Sequence, residues 1–295
     1  MPIDDPTVAN LLTGAVDAHI HTGPDAFERH DTDFTIARKA RAHDMAGLVI
    51  KSHHFETGAR ARLVTEEIGV QVRGGITLNV WAGGLNPLAV DGAAALGASV
   101  VWMPTITAAN HIASGGGVPH LDDATDDSAT VDGISVLDAD GSLRNDALAV
   151  LDRIAANDMC LALGHLAPDE AMPMARAGVD RGVRNVICHH PHAEFLGYSI
   201  EQLREIVDLG GTVELHYGST TGMMGEAVTI ADLADTARAI GPANTVLATD
   251  GGATVNPPIM TQWVDFLQGL LDAGLEPEEI RPMLRDNPKA LYRIP

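Results

Sequence analysis

Residues 16–21 have the sequence Val-Asp-Ala-His-Ile-His, a short run that ends in a His-x-His pair. Residues two apart on a β-strand point to the same face, so His19 and His21 can both reach one ion. Histidine is a frequent ligand of divalent metals. An isolated His-x-His pair is a weak signal, and its interpretation depends on what the rest of the chain places beside it.

Seven more apolar runs follow, and helix-like segments separate most of them. The eight runs cover residues 16–21, 46–53, 70–80, 98–104, 159–166, 184–190, 212–217 and 245–250. The helix-like segments include residues 33–44, 57–67, 145–157, 168–177, 199–209, 230–240, 258–271, 277–285 and 288–291. Most runs start roughly 25 to 33 residues apart, the length of one strand, one helix and two short loops. This pattern predicts an α/β fold, a (β/α)8 TIM barrel, with residues 1–295 as a single domain.

The interval between the fourth and fifth runs is longer than the others, at about 55 residues. This insertion, residues 105–145, contains an acidic stretch at 122–132 and a segment, 133–143, whose turn residues predict a small hairpin. Long loops after barrel strands often carry specificity. We therefore expect the insertion to be a lid or a substrate-binding element, with a plain surface loop as the alternative.

The chain is strongly acidic, because 40 Asp and Glu residues against 19 Lys and Arg residues give a net charge of −21. This charge disfavours nucleic acid and anionic membrane surfaces as partners. The first residues form no basic, apolar leader, and no apolar run is long enough to span a membrane. We expect a cytoplasmic protein that acts on a small molecule, with Cys160 and Cys188 as reduced thiols in the core.

Histidines concentrate where the apolar runs end. The set comprises His19, His21, His53, His54, His165, His189, His190 and His216. In a parallel barrel the carboxyl ends of the strands converge on one face, where active sites are built. Asp250 ends the eighth run, and aspartate joins histidine readily at zinc. The sequence therefore predicts a metal site at the carboxyl-terminal mouth of the barrel.

This combination resembles the amidohydrolase superfamily of metal-dependent hydrolases, which carry His-x-His on strand one, histidines on strands five and six, and aspartate on strand eight. The closing segment Asp-Asn-Pro-Lys-Ala, residues 286–290, is similar to the Asn-Pro-Ala segment near the end of many members. The resemblance covers almost the entire chain. It also implies a homo-oligomer, since barrels of this class often assemble as dimers or larger.

By that resemblance, His19, His21 and Asp250 are metal ligands, and His165 binds the same ion or a second one. One or two divalent ions are implied, with zinc expected and manganese or iron as alternatives. Asp250 is then also the general base that takes the proton from a metal-activated water. A divalent ion lowers the pKa of its water from about 15.7 towards about 7, so a neighbouring carboxylate can accept the proton.

The sixth run ends in Cys-His-His-Pro-His, residues 188–192, and the sequence does not decide which histidine faces inward. His190 stands directly before proline and resembles the pattern of relatives better than His189. His190 is therefore the preferred group, as ligand of a second ion or as catalytic hydrogen-bond donor to the reacting carbonyl. His189 is the alternative, and His192 is expected in a loop.

The fourth strand departs from binuclear members of the superfamily, because residues 100–104 contain no lysine or glutamate that could bridge two ions. This favours a single ion, as in deaminases and in related decarboxylases. The second strand carries Lys51, the only lysine near the proposed mouth, and this residue has three interpretations. It is an anion-binding group for the substrate, a carboxylated lysine that bridges two ions, or the partner in a structural ion pair.

Three further histidines are candidate substrate contacts: His53, His54 and His216. Solvated loop positions are the alternative for the first two, and a polar pair with Glu214 inside the barrel is the alternative for the third. Asp17 is expected to orient a ligand histidine or to cap the strand end. Asp25 and Arg29 lie just past the His-x-His pair and are interpreted as loop structure or as substrate contacts.

The leading hypothesis is hydrolysis of an amide, lactam or lactone bond in a small polar or anionic substrate. Deamination of a heterocycle fits the same residues. The alternative is a metal-dependent non-oxidative decarboxylase of the same superfamily, in which Lys51 would anchor a carboxylate. A metal-binding barrel without catalytic activity is a third hypothesis, and the ligands present at all the expected strand ends argue against it.

Overall fold

The computed structural model describes residues 3–116 and 133–295. Within these residues, eight parallel strands lie side by side in chain order. They are β1 (Val16–His21), β2 (Gly47–Lys51), β3 (Gln71–Thr77), β4 (Val100–Trp102), β5 (Cys160–Ala162), β6 (Val186–His189), β7 (Thr212–His216) and β8 (Thr245–Ala248). The predicted (β/α)8 TIM barrel is confirmed.

The helices lie in the chain between the strands. They are α1 (Pro6–Leu12), α2 (Asp33–Ala42), α3 (Gly58–Ile68), α4 (Pro87–Ala95), α5 (Ala109–Ala113), α6 (Asn145–Ala156), α7 (Pro168–Asp180), α8 (Ile200–Asp208), α9 (Ile230–Ile240), α10 (Ile259–Asp272), α11 (Pro277–Leu284) and α12 (Asp286–Tyr292). Short 3-10 helices occur at Val80–Ala82, Tyr217–Thr220 and Pro242–Asn244. None of these described helices has the length and apolar character needed to cross a membrane.

Several helices begin where the sequence supplies a capping residue. The hydroxyls of Thr32, Ser199 and Thr229 each accept a hydrogen bond from the amide three residues further on, and the side chain at that position bonds back to the cap amide. These reciprocal bonds satisfy amides that have no partner within the helix. The predicted starts of α2, α8 and α9 therefore lie within one residue of the observed starts.

The last strand closes onto the first at the carboxyl-terminal mouth of the barrel. The amide of Asp250 donates to the carbonyl of His19 at 2.9 Å, and the amide of His21 donates to the carbonyl of Gly251 at 2.8 Å. Gly252 has φ of 127°, and a Cβ there would lie 1.8 Å from the carbonyl oxygen of His21. Only glycine permits this close approach. The closure joins the same residues that the sequence assigns to the metal site.

Apolar side chains fill the barrel below the mouth. The inner cluster includes Val16, Ala18, Val49, Val100, Trp102, Cys160, Ala162, Ile187, Val246 and Ala248. Leu291 and Tyr292 of α12 join this cluster. A second, larger cluster packs the outward-facing strand residues against the helices. Cys160 and Cys188 are buried free thiols, as predicted.

Strand β1 contains an irregularity that the period-two pattern does not predict. Its register against β2 shifts between Asp17 and Ile20. Ala18 belongs to the inner cluster and Ile20 to the outer one, while His19 also faces inward and contacts Trp102 with ring centroids 5.9 Å apart. This β-bulge lets consecutive residues point into the barrel.

The predicted strands are longer than the observed ones, because several apolar runs continue past the sheet. Residues 103–104 and 163–166 are buried, yet they belong to loops after β4 and β5. Helices α1, α4 and α5 were not predicted. Helix α4 has the sequence PLAVDGAAA, and it lacks the contrast between a polar and an apolar face that marks a surface helix.

The insertion after β4 contains the predicted hairpin. Leu137 and Leu143 form an antiparallel bridge, and the amide of Asp138 donates to the carbonyl of Ser142 at 2.8 Å. The acidic stretch 122–132 lies outside the described residues. The role of the insertion as a lid stays a prediction.

Asp17 ties β1, β8 and α10 together. Its carboxylate accepts hydrogen bonds from the Thr249 hydroxyl at 2.7 Å, the Thr249 amide at 3.1 Å and the Trp263 indole at 2.8 Å. Its contact with His19 is to the backbone amide, at 3.4 Å. The expectation that Asp17 orients the ring of a ligand histidine is therefore corrected: Asp17 holds the seam of the barrel on the outer side.

We expect Asp17→Asn to lower the free energy of unfolding by about 1–3 kcal/mol, because one buried acceptor becomes a donor that faces other donors. Urea unfolding of the metal-free protein measures this change. Asp208→Asn removes the same charge from an exposed position at the end of α8 and should stay within about 0.5 kcal/mol of the wild type. Equal stability of the two variants would contradict the role of Asp17.

Candidate metal centre

Three side chains converge where β1 and β8 meet. His19 Nε2 lies 3.4 Å, and His21 Nε2 3.2 Å, from the same oxygen, Asp250 Oδ1. All three residues are buried, and their ligand atoms lie within 4.8 Å of one another. Two imidazoles and one carboxylate are a common ligand set for zinc and related ions.

The backbone of Asp250 directs its carboxylate to the histidines. Its φ of 52° is in the left-handed region, which is uncommon for residues other than glycine and frequent at functional sites. Burial on its own would raise the pKa of Asp250, but the hydrogen bond from His21 and the nearby positive groups hold that pKa below its usual value. The carboxylate is therefore ionised and available as a ligand.

Glu214 of β7 sets the proton position on His19. Its Oε1 lies 3.0 Å from His19 Nδ1, and because a carboxylate oxygen accepts, Nδ1 carries the proton. The lone pair of His19 is then on Nε2, which faces Asp250 Oδ1. Two acceptors at 3.4 Å repel unless a cation lies beside them, and the Lys51 ammonium, 3.2 Å from His19 Nε2, occupies that position here. Two imidazoles and a carboxylate also fit a divalent ion, and metal-binding histidines commonly have such a carboxylate behind them.

His216 completes this support from β7. Its Nε2 donates to Glu214 Oε1 at 2.8 Å, and its Nδ1 accepts from the backbone amide of His190 at 3.3 Å. Both ring nitrogens are therefore occupied within the protein. This geometry does not favour the expected substrate contact and instead makes His216 part of the frame that holds Glu214.

The histidines of the site are neutral. Burial, assisted by the charge of Lys51, lowers the pKa of several rings well below the usual value: His19, His53, His165, His189 and His190. Burial also lowers the pKa of His21 to about 4. A neutral imidazole has one ring nitrogen without a proton, which is the form that binds a metal ion.

Both candidate histidines of β6 reach the site. His189 follows Ile187 on the inner face, and His190 has φ of 55°, which turns it back towards Asp250. His190 Nδ1 lies 3.8 Å from Asp250 Oδ2. Both ring nitrogens of His189, and Nδ1 of His190, have no hydrogen-bond partner among the described residues. Buried groups of this kind are costly unless a ligand satisfies them. The preference for His190 stays a prediction.

His165 lies at the same mouth but further from Asp250. Its ring centroid is 5.5 Å from that of His190, and its Nδ1 lies 3.2 Å from Nδ1 of His111. Among the described residues, it does not belong to either closely spaced ligand group. His111, from α5 of the insertion, was missed in the sequence because it is not at a strand end; its only signal is its position in the long loop after β4.

Lys51 is fully buried beside the candidate ligands. Its Nζ lies 3.2 Å from His19 Nε2 and 5.6 Å from the centroid of the Trp102 ring. Burial lowers the pKa of Lys51 to about 8. An ammonium group and a metal ion cannot share the lone pair of His19, so Lys51 must lose its proton, turn away or be modified when an ion binds.

The two histidines after β2 have different positions. His53 stacks on His21 with ring centroids 4.8 Å apart, and its Nδ1 lies 3.0 Å from the Thr105 hydroxyl. His54 packs instead against Trp81, with centroids 4.2 Å apart, and faces Asp25 at 4.0 Å. The structure brings His53 to the site and places His54 behind it.

A cavity of about 140 Å³ opens above the candidate ligands. Its described walls are His21, Arg29, Lys51, His53, Ile106, His111, His165, His190, Met223, Met224, Asp250 and Ala253. The walls therefore come from the loops after several strands, and Ile106 and His111 come from the insertion. For Arg29, one of the charged wall residues, the sequence favoured loop structure, with a substrate contact as the alternative.

A family model matches residues 14–214, more than half of the chain. The chain belongs to the DUF6282 family. This is a family of unknown function, and its matched segment includes the candidate ligands of β1 and the supporting Glu214, while Asp250 lies beyond it. No curated protein sequence matches this DUF6282 chain significantly.

Solved structures resemble the whole DUF6282 chain in fold. An amidohydrolase from Pseudomonas aeruginosa matches with a TM-score of 0.65 and 13% identity, over 97% of this chain and 98% of that one. The probable dipeptidase PvdM from Pseudomonas aeruginosa matches with 0.63 and 9%, over 97% of each chain. A 2,6-dihydroxybenzoate decarboxylase from Rhizobium matches with 0.55 and 11%, over 95% and 99%. The predicted resemblance to amidohydrolases is confirmed for the fold.

We expect Glu214→Gln to weaken zinc binding by about 10–100-fold, because the neutral amide orients and polarises His19 less well than the carboxylate. Competition against a chromophoric chelator measures the zinc affinity. Glu201→Gln, at an exposed position of α8, is the matched control and should bind as the wild type does. Unchanged affinity in Glu214→Gln would show that Glu214 does not position a ligand.

Proposed function

We propose that this protein is a metal-dependent hydrolase that cleaves an amide, lactam or lactone bond in a small polar or anionic substrate. The observation that carries the proposal is the convergence of His19, His21 and Asp250, with a carboxylate behind His19. Fold resemblance to amidohydrolases and dipeptidases supports the same class. Zinc is the proposed ion, with manganese or iron as alternatives.

His19, His21 and Asp250 would hold the ion, and His165 and His190 or His189 would hold a second ion if two bind. A bound divalent ion would supply Lewis-acid chemistry, polarising the carbonyl under attack and making water acidic near neutral pH. The absence of lysine and glutamate from β4, residues 100–102, favours one ion.

Asp250 is the proposed general base. Its Oδ1 faces the two β1 histidines, while its Oδ2 faces the site from 3.8 Å below His190 Nδ1. Oδ2 can therefore accept a proton from the attacking water and return it to the leaving group. His190 Nδ1 has no hydrogen-bond partner among the described residues and, when protonated on that atom, can donate to the reacting carbonyl oxygen.

Lys51 and His53 are the proposed substrate contacts among the residues that line the cavity. Lys51 is either an ammonium group that binds a substrate anion or a carboxylated lysine that bridges two ions. Lys51 Nζ lies 3.2 Å from His19 Nε2, so in the first role the ammonium group would turn away from an ion bound to His19, and in the second role the modified side chain would itself bind that ion.

Non-oxidative decarboxylation is the second candidate function. The buried cations Lys51 and Arg29 in the cavity wall favour it, because they can hold a carboxylate beside the ion. Release of carbon dioxide without incorporation of oxygen from labelled water would distinguish this reaction from hydrolysis.

We expect about one equivalent of divalent metal in protein purified without chelator or reconstituted with zinc, measured by elemental analysis. Asp250→Asn and His19→Ala should each lose most of this metal, because each removes one of three ligands. The matched controls Asp208→Asn and His43→Ala alter the same residue types outside the cavity and should keep the metal. Absence of metal from the reconstituted wild type would contradict the proposal.

Activity provides the second test, with a panel of N-acyl amino acids, lactams and lactones assayed for amine or acid release. For any substrate turned over by the wild type, Asp250→Asn should lower kcat by about 100-fold or more even at saturating zinc, since general base catalysis is removed. An Asp250→Asn variant that keeps metal and full activity would rule out the base assignment.

A further inference from the structure

The side chain of Arg29 forms part of the wall of the cavity above the candidate ligands. It is only 7% exposed. Burial lowers the pKa of Arg29, while Asp25 raises it. Arginine keeps its charge in such surroundings, since its pKa stays far above neutrality. The cavity therefore contains a buried guanidinium that the proposed hydrolysis does not use.

The protein supplies few hydrogen-bond partners to this guanidinium. Asp25 Oδ1 lies 3.6 Å from Nη2, longer than a hydrogen bond. Nη2 also lies 3.4 Å from His21 Nδ1, and the Phe27 ring centroid is 5.2 Å from the guanidinium carbon. The Nε of Arg29 has no hydrogen-bond partner among the described residues. A buried cation with unused donors is costly unless an anion completes its shell.

The charge of the cavity points the same way. The chain as a whole has a net charge of −21, yet the described cavity wall holds two cations, Arg29 and Lys51, and one carboxylate, Asp250, with the Asp25 carboxylate 3.6 Å from Arg29. These charges balance, and a divalent ion at His19, His21 and Asp250 would make the cavity positive. A cavity with this sign, in a protein of opposite sign, selects anions.

We infer that Arg29 anchors a carboxylate of the substrate, in two parallel hydrogen bonds that match the planar geometry of the group. The inference rests on the proposed function and narrows its substrate class. Arg29 contacts Nδ1 of His21, and the other nitrogen of that ring faces Asp250 at 3.2 Å. A carboxylate bound to Arg29 would therefore be separated from the candidate ion by about the width of the His21 ring. The bond to be cleaved would then lie only a few covalent bonds from that carboxylate.

The remaining walls define the rest of the substrate. Ile106, Met223, Met224 and Ala253 are apolar or small, and the volume is about 140 Å³. The substrates that fit are compact acids with a short apolar part, such as N-acyl amino acids with small side chains or cyclic amides that carry a carboxylate.

Calorimetry with two probes tests the inference. Malonate carries one carboxylate for the ion and one for Arg29, whereas acetohydroxamate has no carboxylate and addresses only the ion. We expect Arg29→Gln to weaken malonate binding at least about tenfold and to leave acetohydroxamate binding to zinc-loaded protein unchanged. Arg29→Lys keeps the positive charge but lacks the planar guanidinium, so its malonate affinity should lie between those of the wild type and Arg29→Gln. Arg38→Gln, which removes an exposed arginine of α2, should bind both probes as the wild type does.

Equal malonate affinity of Arg29→Gln and Arg38→Gln, or no malonate binding by the wild type, would overturn the inference. Failure of zinc-loaded wild type to bind acetohydroxamate would instead contradict the proposed metal-dependent function. The zinc-free proteins then still decide the role of Arg29: a tenfold loss of malonate affinity in Arg29→Gln supports it, and equal affinity overturns it.

Discussion

Two backbone hydrogen bonds, from Asp250 to His19 and from His21 to Gly251, join the last strand of the barrel to the first. The candidate ligands are side chains of the residues whose backbones make these bonds. The site therefore forms only when the ring of strands closes. On the outer face of the barrel, the Asp17 carboxylate stabilises the same junction by accepting hydrogen bonds from Thr249 and Trp263. His19 and Asp250, which are more than 200 positions apart in the chain, are thereby held close together.

This closure gathers buried histidines that water cannot solvate. Burial keeps their rings neutral, and the Glu214 carboxylate fixes the lone pair of His19 on the side of Asp250. Ring nitrogens of His189 and His190, and Nε of Arg29, have no hydrogen-bond partner in the described structure. A cation at the mouth would bind the first two residues, and an anion would bind Arg29. The inner cluster around Trp102 is apolar, so the polar groups of the site are confined to the mouth of the barrel.

Much of this architecture can be predicted from the sequence, because parallel strands buried on both faces appear as apolar runs and their carboxyl ends converge. The candidate ligands could be proposed for the same reason. The bulge in β1 could not, since it breaks the period-two rule that otherwise places Asp17 beside His19. Nor could the left-handed turn at His190, which brings two consecutive histidines into one site. Arg29 was ambiguous because a loop residue has no periodicity that would place its side chain.

The most direct test of the metal centre is anomalous diffraction at the zinc edge from crystals of zinc-loaded protein. We predict an anomalous peak in contact with His19 Nε2, His21 Nε2 and Asp250, with Glu214 still bonded to His19 Nδ1. A peak bound elsewhere on the protein, or no peak between β1 and β8 in fully loaded crystals, would contradict the assignment of this site.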